Sequence, residues 1–296
     1  MNRFKRKLVY GAIGLLGGLL AWSLSSLSLE LANSFPSFLS FSLTTGFLLG
    51  GAMGAFFGSL EGLTQSVTKK MISGMRMGVL IGGLGGIVGF LLGQGFLLYL
   101  GDFFLQSAKD LREWGIPFSK VISWMVLGIF LGAIEGVRSL SFQKIRVGKL
   151  GGAIGGLLGG FALEFLPLLF PGMGYTDLLG LCLLGLMIGL SFGLVEEQFS
   201  TAVLRMLNGP FKGKEYLLLA KSSLIGETPK AEICLEGYKR VTPKEAKAQI
   251  KKGKVHLVSL SGSKEIKVND QPLGAEALAP EDIIQIGSAK LIFYYR

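Results

Sequence analysis

The chain reads Gly54-Ala-Phe-Phe-Gly58-Ser-Leu-Glu61 at the end of an apolar run, and this Gly-x-x-x-Gly-x-x-Glu pattern occurs twice more. The other copies are Gly128-Ile-Phe-Leu-Gly132-Ala-Ile-Glu135 and Gly189-Leu-Ser-Phe-Gly193-Leu-Val-Glu196. Glycines four residues apart lie on one helix face, and in lipid such faces let two helix backbones approach closely. The three copies indicate an internal triplication, and the six glycines are predicted to be helix-packing positions.

The composition is typical of an integral membrane protein. Half of the 296 residues are hydrophobic, 45 are glycine and only 17% are charged. Several apolar runs approach or exceed the roughly 20 residues that span a bilayer core as a helix. We therefore predict an all-α polytopic membrane bundle for the N-terminal part of the chain.

Residue types suited to metal binding or covalent catalysis are scarce. The chain contains two cysteines and one histidine. No serine or cysteine has a plausible general base near it in sequence, and no Walker lysine-serine pair follows the glycine motifs. We predict no metal site, no cofactor and no enzymatic activity.

The apolar runs pair into three glycine-rich helical hairpins, which gives six transmembrane helices. The predicted repeats cover about residues 1–73, 74–146 and 147–207. In each repeat the leading helix is rich in glycine, and the trailing helix ends in the Gly-x-x-x-Gly-x-x-Glu pattern. This glycine zipper is predicted to pack the bundle against itself, against other membrane subunits or against a second copy.

Lysine and arginine lie mainly on one side of the predicted bundle. The N-terminus, the second and fourth connections and Arg205 hold 12 basic residues, whereas the opposite connections hold only Lys109, Arg112 and Lys120. The positive-inside rule then makes both termini cytoplasmic, in a multi-pass protein of the cytoplasmic membrane, the inner membrane if the source is bacterial. The basic excess follows this topology, so no nucleic-acid partner is predicted and the bilayer is the expected neighbour.

The character of the sequence changes near Asn208-Gly209-Pro210. Beyond a predicted linker at 208–213, long apolar runs give way to short alternating segments such as Lys254-Val-His-Leu-Val-Ser-Leu260. Turn signals separate these segments at regular intervals, which is typical of a small all-β sandwich. The sequence thus predicts a multidomain chain with a cytoplasmic β-sandwich at 214–296.

Several pieces of this region carry a family resemblance. They are Leu224-Ile-Gly226, Ala231-Glu-Ile-Cys-Leu235, Val268-Asn269-Asp-Gln-Pro-Leu273 and the closing Leu278-Ala-Pro-Glu-Asp-Ile-Ile-Gln-Ile-Gly287-Ser-Ala-Lys-Leu-Ile-Phe293. Together they resemble a forkhead-associated (FHA) domain, a β-sandwich that typically recognises phosphothreonine peptides. The resemblance implies a protein-binding surface formed by loops at one end of the sandwich.

The phosphate-reading positions that the resemblance implies hold unusual residues. The arginine that usually follows the first glycine is replaced by Glu227, and the Ser-x-x-His pair would fall at Lys244 and Lys247. The Asn-Gly pair would fall near Lys264, and Asn269 lies in the next predicted loop. Glutamate repels phosphate, and lysine lacks the fixed bidentate geometry of arginine. Two interpretations stay open, namely phosphothreonine recognition through the lysines and phosphate-independent docking of a protein.

Two interpretations also apply to Glu61, Glu135 and Glu196. If the three hairpins pack around one axis, their carboxylates form a ring on a possible ion pathway. Alternatively, each acid pairs with a nearby basic residue, as Glu135 would with Arg138 at i,i+3 spacing. The helices are expected to continue past the acids over Glu61–Met71, Glu135–Ile145 and Glu196–Leu207, and a triple change to glutamine is expected to leave folding intact.

These observations predict a membrane-anchored scaffold or adaptor whose FHA-like domain docks a protein partner. The alternative is a transporter or channel in which the three glutamates share a pathway and the FHA-like domain is regulatory. A pathway needs polar residues at mid-membrane depth, whereas the centres of the predicted spans are almost all Gly, Leu, Ile, Phe and Ala. That absence favours the adaptor.

Overall fold

A computed structural model describes residues 3–103, 111–260, 266–273 and 277–295. Its N-terminal part contains six long helices, each apolar and long enough to cross a membrane. They are α1 (Arg3–Glu30), α2 (Phe38–Gln65), α3 (Thr68–Phe103), α4 (Ile116–Arg138), α5 (Phe142–Leu169) and α6 (Thr176–Gln198). The six-helix bundle predicted from the sequence is confirmed.

The six helices form a closed ring. Each helix packs against the next in chain order, and α6 returns to pack against α1. The closest contacts between a glycine and backbone atoms of another helix join neighbouring hairpins, since α2 packs on α3, α4 on α5 and α6 on α1. The glycine face of the second helix in each hairpin therefore contacts the first helix of the next hairpin, and the third hairpin closes on the first.

Two turns of the bundle repeat the same backbone pattern 74 residues apart. Between α2 and α3, the Val67 N–H donates to the Gly62 carbonyl at 2.9 Å, and between α4 and α5 the Ser141 N–H donates to the Gly136 carbonyl at the same distance. Ser66 and Leu140 precede these donors with φ of 56° and 51°. Both helices thus end in a Schellman-type cap, which turns the chain directly into the next helix.

The expected helical continuations past the glutamates are wrong. Helix α2 ends at Gln65, α4 at Arg138 and α6 at Gln198. The Schellman-type caps stop the first two helices, and the residues after α6 enter a β-strand instead. The acids therefore lie in the last turns of their helices, where the macrodipole opposes a negative charge and a basic partner is needed.

The C-terminal part is a sandwich of two β-sheets. Its ten strands are β1 (Ala202–Met206), β2 (Glu215–Leu218), β3 (Ser222–Gly226), β4 (Ile233–Cys234), β5 (Ala246–Lys251), β6 (Lys254–Ser259), β7 (Ile266–Val268), β8 (Gln271–Pro272), β9 (Ile283–Ile286) and β10 (Ala289–Tyr295) within the described residues. One sheet has the order β2-β1-β10-β9-β7-β8 and the other β4-β3-β5-β6. The apolar faces of both sheets form one core, with Ile225, Ala246, Ile284 and Phe293 fully buried.

The sheet structure begins earlier than the sequence predicts. Strand β1 pairs with both β2 and β10, so it belongs to the sandwich although it lies before the predicted linker at 208–213. Its five residues are too few to show alternation clearly, and they follow α6 after a short connection. The linker residues instead form the turn between β1 and β2, where Gly209 has a φ of 69°.

Candidate functional site between the bundle and the sandwich

The structure brings Glu61, Glu135 and Glu196 together at the end of the bundle that faces the sandwich. All three line one cavity of about 70 Å³, together with β2 and the start of β4. The helix ends of α2, α4 and α6 deliver them there because each acid lies three residues after a glycine that contacts a neighbouring helix. The ring of carboxylates predicted from the spacing thus has a geometric counterpart.

Each of these carboxylates contacts a basic side chain. Glu61 Oε1 lies 2.5 Å from Lys70 Nζ, and its other oxygen is paired with Arg138. Glu135 pairs with Arg138 at 3.2 Å, the i,i+3 contact predicted from the sequence, and with Lys144 at 3.8 Å.

The third acid has a different partner set. Glu196 pairs with Arg6 and accepts a hydrogen bond from the Tyr10 hydroxyl at 3.1 Å. The three acids therefore form a charge-paired cluster that ties α1, α3, α4 and α5 to the ends of α2, α4 and α6. Such pairing offsets the macrodipole at these helix ends and fixes the order of the ring.

We expect Glu61→Gln to destabilise the bundle by about 2 kcal/mol, because it leaves Lys70 without its carboxylate in a poorly solvated site and removes one of the two carboxylates that pair with Arg138. Lys70 is only 3% exposed. The measurement is thermal unfolding of the full-length protein in detergent, and Glu30→Gln, at an exposed acid near the other end of α1, is the matched control. An unchanged melting temperature for Glu61→Gln would contradict the role of the ion pairs. The sequence alone led to the expectation that changing the glutamates to glutamine leaves folding intact. The observed ion pairs lead instead to an expected loss of stability.

The α2–α3 turn inserts the Val67 side chain into the open side of the sandwich. Val67 is 3% exposed and belongs to the apolar core of the sandwich. Around it, Gln65 Nε2 donates to the Glu232 carbonyl at 2.9 Å, and Lys70 Nζ donates to the Ala231 carbonyl at 2.9 Å. From the sandwich, Lys214 Nζ donates a hydrogen bond to the Gln65 carbonyl at 2.8 Å. A buried apolar anchor surrounded by hydrogen bonds to backbone carbonyls holds the two parts in one arrangement.

This docking covers two edge strands of the sandwich. Strand β2 is the edge of one sheet and β4 the edge of the other, and both face the bundle. Exposed edges are open to unwanted strand pairing, so covering them also protects the sandwich from aggregation. Near the cavity, burial lowers the pKa of the Lys214 amino group and raises the pKa of the Tyr216 hydroxyl.

The positions implied by the FHA resemblance lie on loops next to this contact, since the Ala231 N–H donates to the Thr228 carbonyl at 2.9 Å. Glu227 and Lys244 are exposed, and their loops are joined by the Glu227 N–H, which donates to the Thr242 carbonyl at 3.1 Å. Lys247 lies on β5, partly buried, opposite Leu224 and Val258 in the sheet. The structure therefore brings Glu227 and Lys244 to one loop surface and leaves Lys247 within a strand.

A pair that the sequence analysis missed lies beside Lys244. Glu245 is 1% exposed, and its Oε2 accepts hydrogen bonds from the Thr242 N–H at 2.7 Å and from the Thr242 hydroxyl at 2.6 Å. Thr242 and Glu245 have the Ser-x-x-His spacing two residues before the assigned lysines. The sequence feature that could have indicated this pair is Thr242, which begins the segment Thr-Pro-Lys-Glu and is three residues before Glu245. The buried Glu245 carboxylate thus holds the Thr242 loop in place through two hydrogen bonds.

Of the two remaining candidate positions, the structure describes only Asn269. Asn269 occupies the β7–β8 turn with a φ of 51°, and it accepts from the Ile283 N–H at 2.9 Å and donates to Asp282 at 2.8 Å. Its side chain is thus used to join the turn to β9. Lys264 lies outside the described residues.

Comparison with known proteins concerns mainly the C-terminal part. Residues 205–296 match the family model described as the cytoplasmic domain of the inner membrane component of the type III secretion system. Two curated relatives, both named oxoglutarate dehydrogenase inhibitor, are 29% identical. The one from Corynebacterium glutamicum matches over 103 residues, 35% of this chain and 71% of the relative. The one from Corynebacterium efficiens matches over 93 residues, 31% and 65% respectively.

Among solved structures, similar chains include FHA domains. One comes from a study of phosphothreonine-dependent FHA interactions, with 23% identity, 33% of this chain, 98% of that chain and a TM-score of 0.30. Another is the FHA domain of the CT664 protein of Chlamydia trachomatis, with 19% identity, 33% and 99% coverage and the same TM-score. The expected FHA-like fold of the C-terminal part is confirmed, and the chain joins a membrane-located helical bundle to this domain.

Proposed function

We propose that this protein is a membrane-anchored adaptor whose FHA-like loop surface docks a protein partner without reading phosphate. The observation that carries the proposal is the carboxylate pair at the loop surface, Glu227 on the surface and Glu245 beneath Thr242. A phosphothreonine brings close to two negative charges at neutral pH, so two nearby carboxylates disfavour its binding.

The docking of the sandwich on the bundle also supports an adaptor. The bundle contacts the edge strands β2 and β4, while Glu227, Thr242 and Lys244 remain exposed on the loop surface. The bundle then acts as a rigid anchor that presents the loops in a fixed orientation near the membrane.

The orientation of the adaptor follows from the basic residues. Arg6, Lys70, Lys144 and Arg146 lie at the end of the bundle that carries the sandwich. The positive-inside rule therefore favours the cytoplasm for this end and for both termini. The outer faces of the glycine-rich helices are the surfaces that we assign to other membrane subunits or to a second copy.

The transporter alternative receives less support. The convergence of Glu61, Glu135 and Glu196 in one cavity is the feature that favours it. However, each carboxylate is paired with a cation, and the sandwich covers the cavity. An ion flux into liposomes that disappears when all three acids are changed to glutamine would reverse this ranking.

The proposal is tested with the full-length protein in detergent, titrated with a degenerate phosphothreonine peptide library and its unphosphorylated counterpart by fluorescence anisotropy. We expect less than about a twofold difference in affinity between the two libraries. Glu227→Arg, which supplies the arginine that the family usually has, is expected to favour the phosphorylated library because a bidentate partner replaces a repelling charge. A tenfold preference of the unaltered protein for phosphopeptides would contradict the proposal.

A further inference from the structure

A second and much larger groove lies beside the α4–α5 turn. Its volume is about 960 Å³, and it is bounded by that turn, by the start of α5, by Phe199 after α6 and by the β2–β3 turn of the sandwich. This volume is within the range of pockets that enclose a small organic ligand. The groove is separate from the charge-paired cavity, although Glu232 contributes to both.

One wall of the groove is apolar and open. Leu140 is 91% exposed, Phe142 72%, and Leu150 and Phe199 are about half exposed. Leu140 also has a φ of 51°, a left-handed conformation that is unfavourable for a bulky residue. The equivalent position in the α2–α3 turn is Ser66, next to the residue that enters the sandwich. The second turn therefore presents an apolar tip that no described part of the chain covers.

The groove also carries positive charge, from one side chain on α5 and one in the β2–β3 turn of the sandwich. Arg146 and Lys221 line the groove, and within the described residues neither forms an ion pair with a carboxylate. The acid at the groove, Glu232, is already engaged, because it accepts a hydrogen bond from the Leu224 N–H at 2.7 Å and lies 3.8 Å from Lys144 Nζ. The unbalanced charge of the groove is thus positive and suits an anionic group.

The basic and apolar residues of the groove follow one another along α5. Arg146 and Lys149 are the last basic residues before an uncharged run that begins at Leu150 and continues to Leu163. Leu150 lies one helical turn beyond Arg146, about 6 Å further along α5. Because the positive-inside rule places the basic end of a span among the headgroups, we expect Arg146 at headgroup depth and Leu150 beside the acyl chains.

We propose that this groove binds one anionic phospholipid of the adjacent leaflet. Arg146 and Lys221 contact its phosphate, and Phe142, Leu150 and Phe199 contact an acyl chain. Arg146 also lies over the Phe142 ring at 5.6 Å, which holds the guanidinium beside the apolar wall. The bound lipid would fill the space between the bundle and the sandwich beside the α4–α5 turn, and it would make docking of the sandwich sensitive to lipid composition.

The test uses delipidated full-length protein in detergent, titrated with phosphatidylglycerol or phosphatidylcholine and examined by native mass spectrometry. We expect one phosphatidylglycerol to bind at least about tenfold more tightly than phosphatidylcholine. The double variant Arg146→Gln/Lys221→Gln should lose that preference, since each basic residue near a headgroup contributes on the order of 1 kcal/mol, or about fivefold. Lys239→Gln/Arg240→Gln removes the same charge at a distant loop and should bind as the unaltered protein does.

Three results would overturn the proposal. The first is equal binding of both lipids by the unaltered protein, and the second is an undiminished preference in the Arg146→Gln/Lys221→Gln variant. The third is displacement of phosphatidylglycerol by an equal concentration of glycerol phosphate, which would indicate a phosphate site without an acyl-chain contact. Leu140→Ser, which copies Ser66, should weaken phosphatidylglycerol binding while leaving the circular dichroism spectrum unchanged.

Discussion

Gly58→Leu is expected to prevent α2 from packing against α3 and to lower the stability of the bundle by at least about 3 kcal/mol. A Cβ at Gly58 would lie closer than 3.0 Å to the backbone carbonyl of Gly74, and backbone atoms cannot move aside as a flexible side chain can. Thermal unfolding in detergent measures the effect, for which we expect a melting temperature lower by about 10 °C.

The control for this substitution lies on the neighbouring helix. Gly95 has no heavy atom within 4 Å of an added Cβ, so Gly95→Leu should leave the melting temperature unchanged. Gly132→Leu should behave as Gly58→Leu does, since Gly132 meets the Gly148 carbonyl in the equivalent place. Equal melting temperatures for all three variants would show that the glycine contacts do not hold the ring together.

The other glycines of the pattern allow a graded comparison. Gly54, Gly128 and Gly189 each meet a backbone carbonyl on the neighbouring helix, whereas the nearest atom to Gly193 belongs to the side chain of Tyr10, at 3.1 Å, and the nearest backbone atom is 3.8 Å away. The aromatic ring of Tyr10 can rotate away from an added side chain. We therefore expect Gly193→Leu to lower the stability of the bundle less than Gly58→Leu does. A sequence pattern that looks identical in three places therefore predicts unequal sensitivity.

Val67→Asp is expected to release the sandwich from the bundle. The substitution puts a carboxylate among the apolar core residues of the sandwich, where it loses its hydration, and we expect about 4 kcal/mol of destabilisation of the docked state. Limited proteolysis of the full-length protein measures the release as faster cleavage between α6 and β1.

The matched control is Val258→Asp. Val258 is 37% exposed on β6, at the other edge of the sandwich, so the same new charge remains in solvent there. We expect Val258→Asp to be cleaved at the rate of the unaltered protein. Unchanged cleavage in Val67→Asp would mean that the α2–α3 turn does not hold the sandwich in place.

The bundle could be predicted from the sequence because its signals are local. Apolar length specifies six helices, and Gly-x-x-x-Gly specifies which faces approach closely. The partner of each face could not be predicted, because the motif at Gly54 and Gly58 is compatible with any glycine-rich helix. The observed partners are in the next hairpin, and the closure of α6 on α1 depends on all six helices together.

The site shows the same division between local and long-range information. The pairing of Glu135 with Arg138 follows from i,i+3 spacing and could be predicted. The contacts of Glu61 with Lys70 and of Glu196 with Arg6 depend on the ring and could not. Val67 carried no signal either, since a valine after a helix end looks like any other residue of a short turn until the sandwich is placed over it.

The loop surface of the sandwich is proposed to dock a protein without phosphate. The most direct test of this proposal is a photo-crosslinking amino acid placed at Lys244 in the full-length protein, in the membrane of its own cells, with Lys267 on β7 as the control position. We predict a discrete protein adduct at position 244, absent at position 267 and unchanged by phosphatase treatment before irradiation. Loss of that adduct after phosphatase treatment, or no adduct at position 244, would contradict phosphate-independent docking at this loop surface.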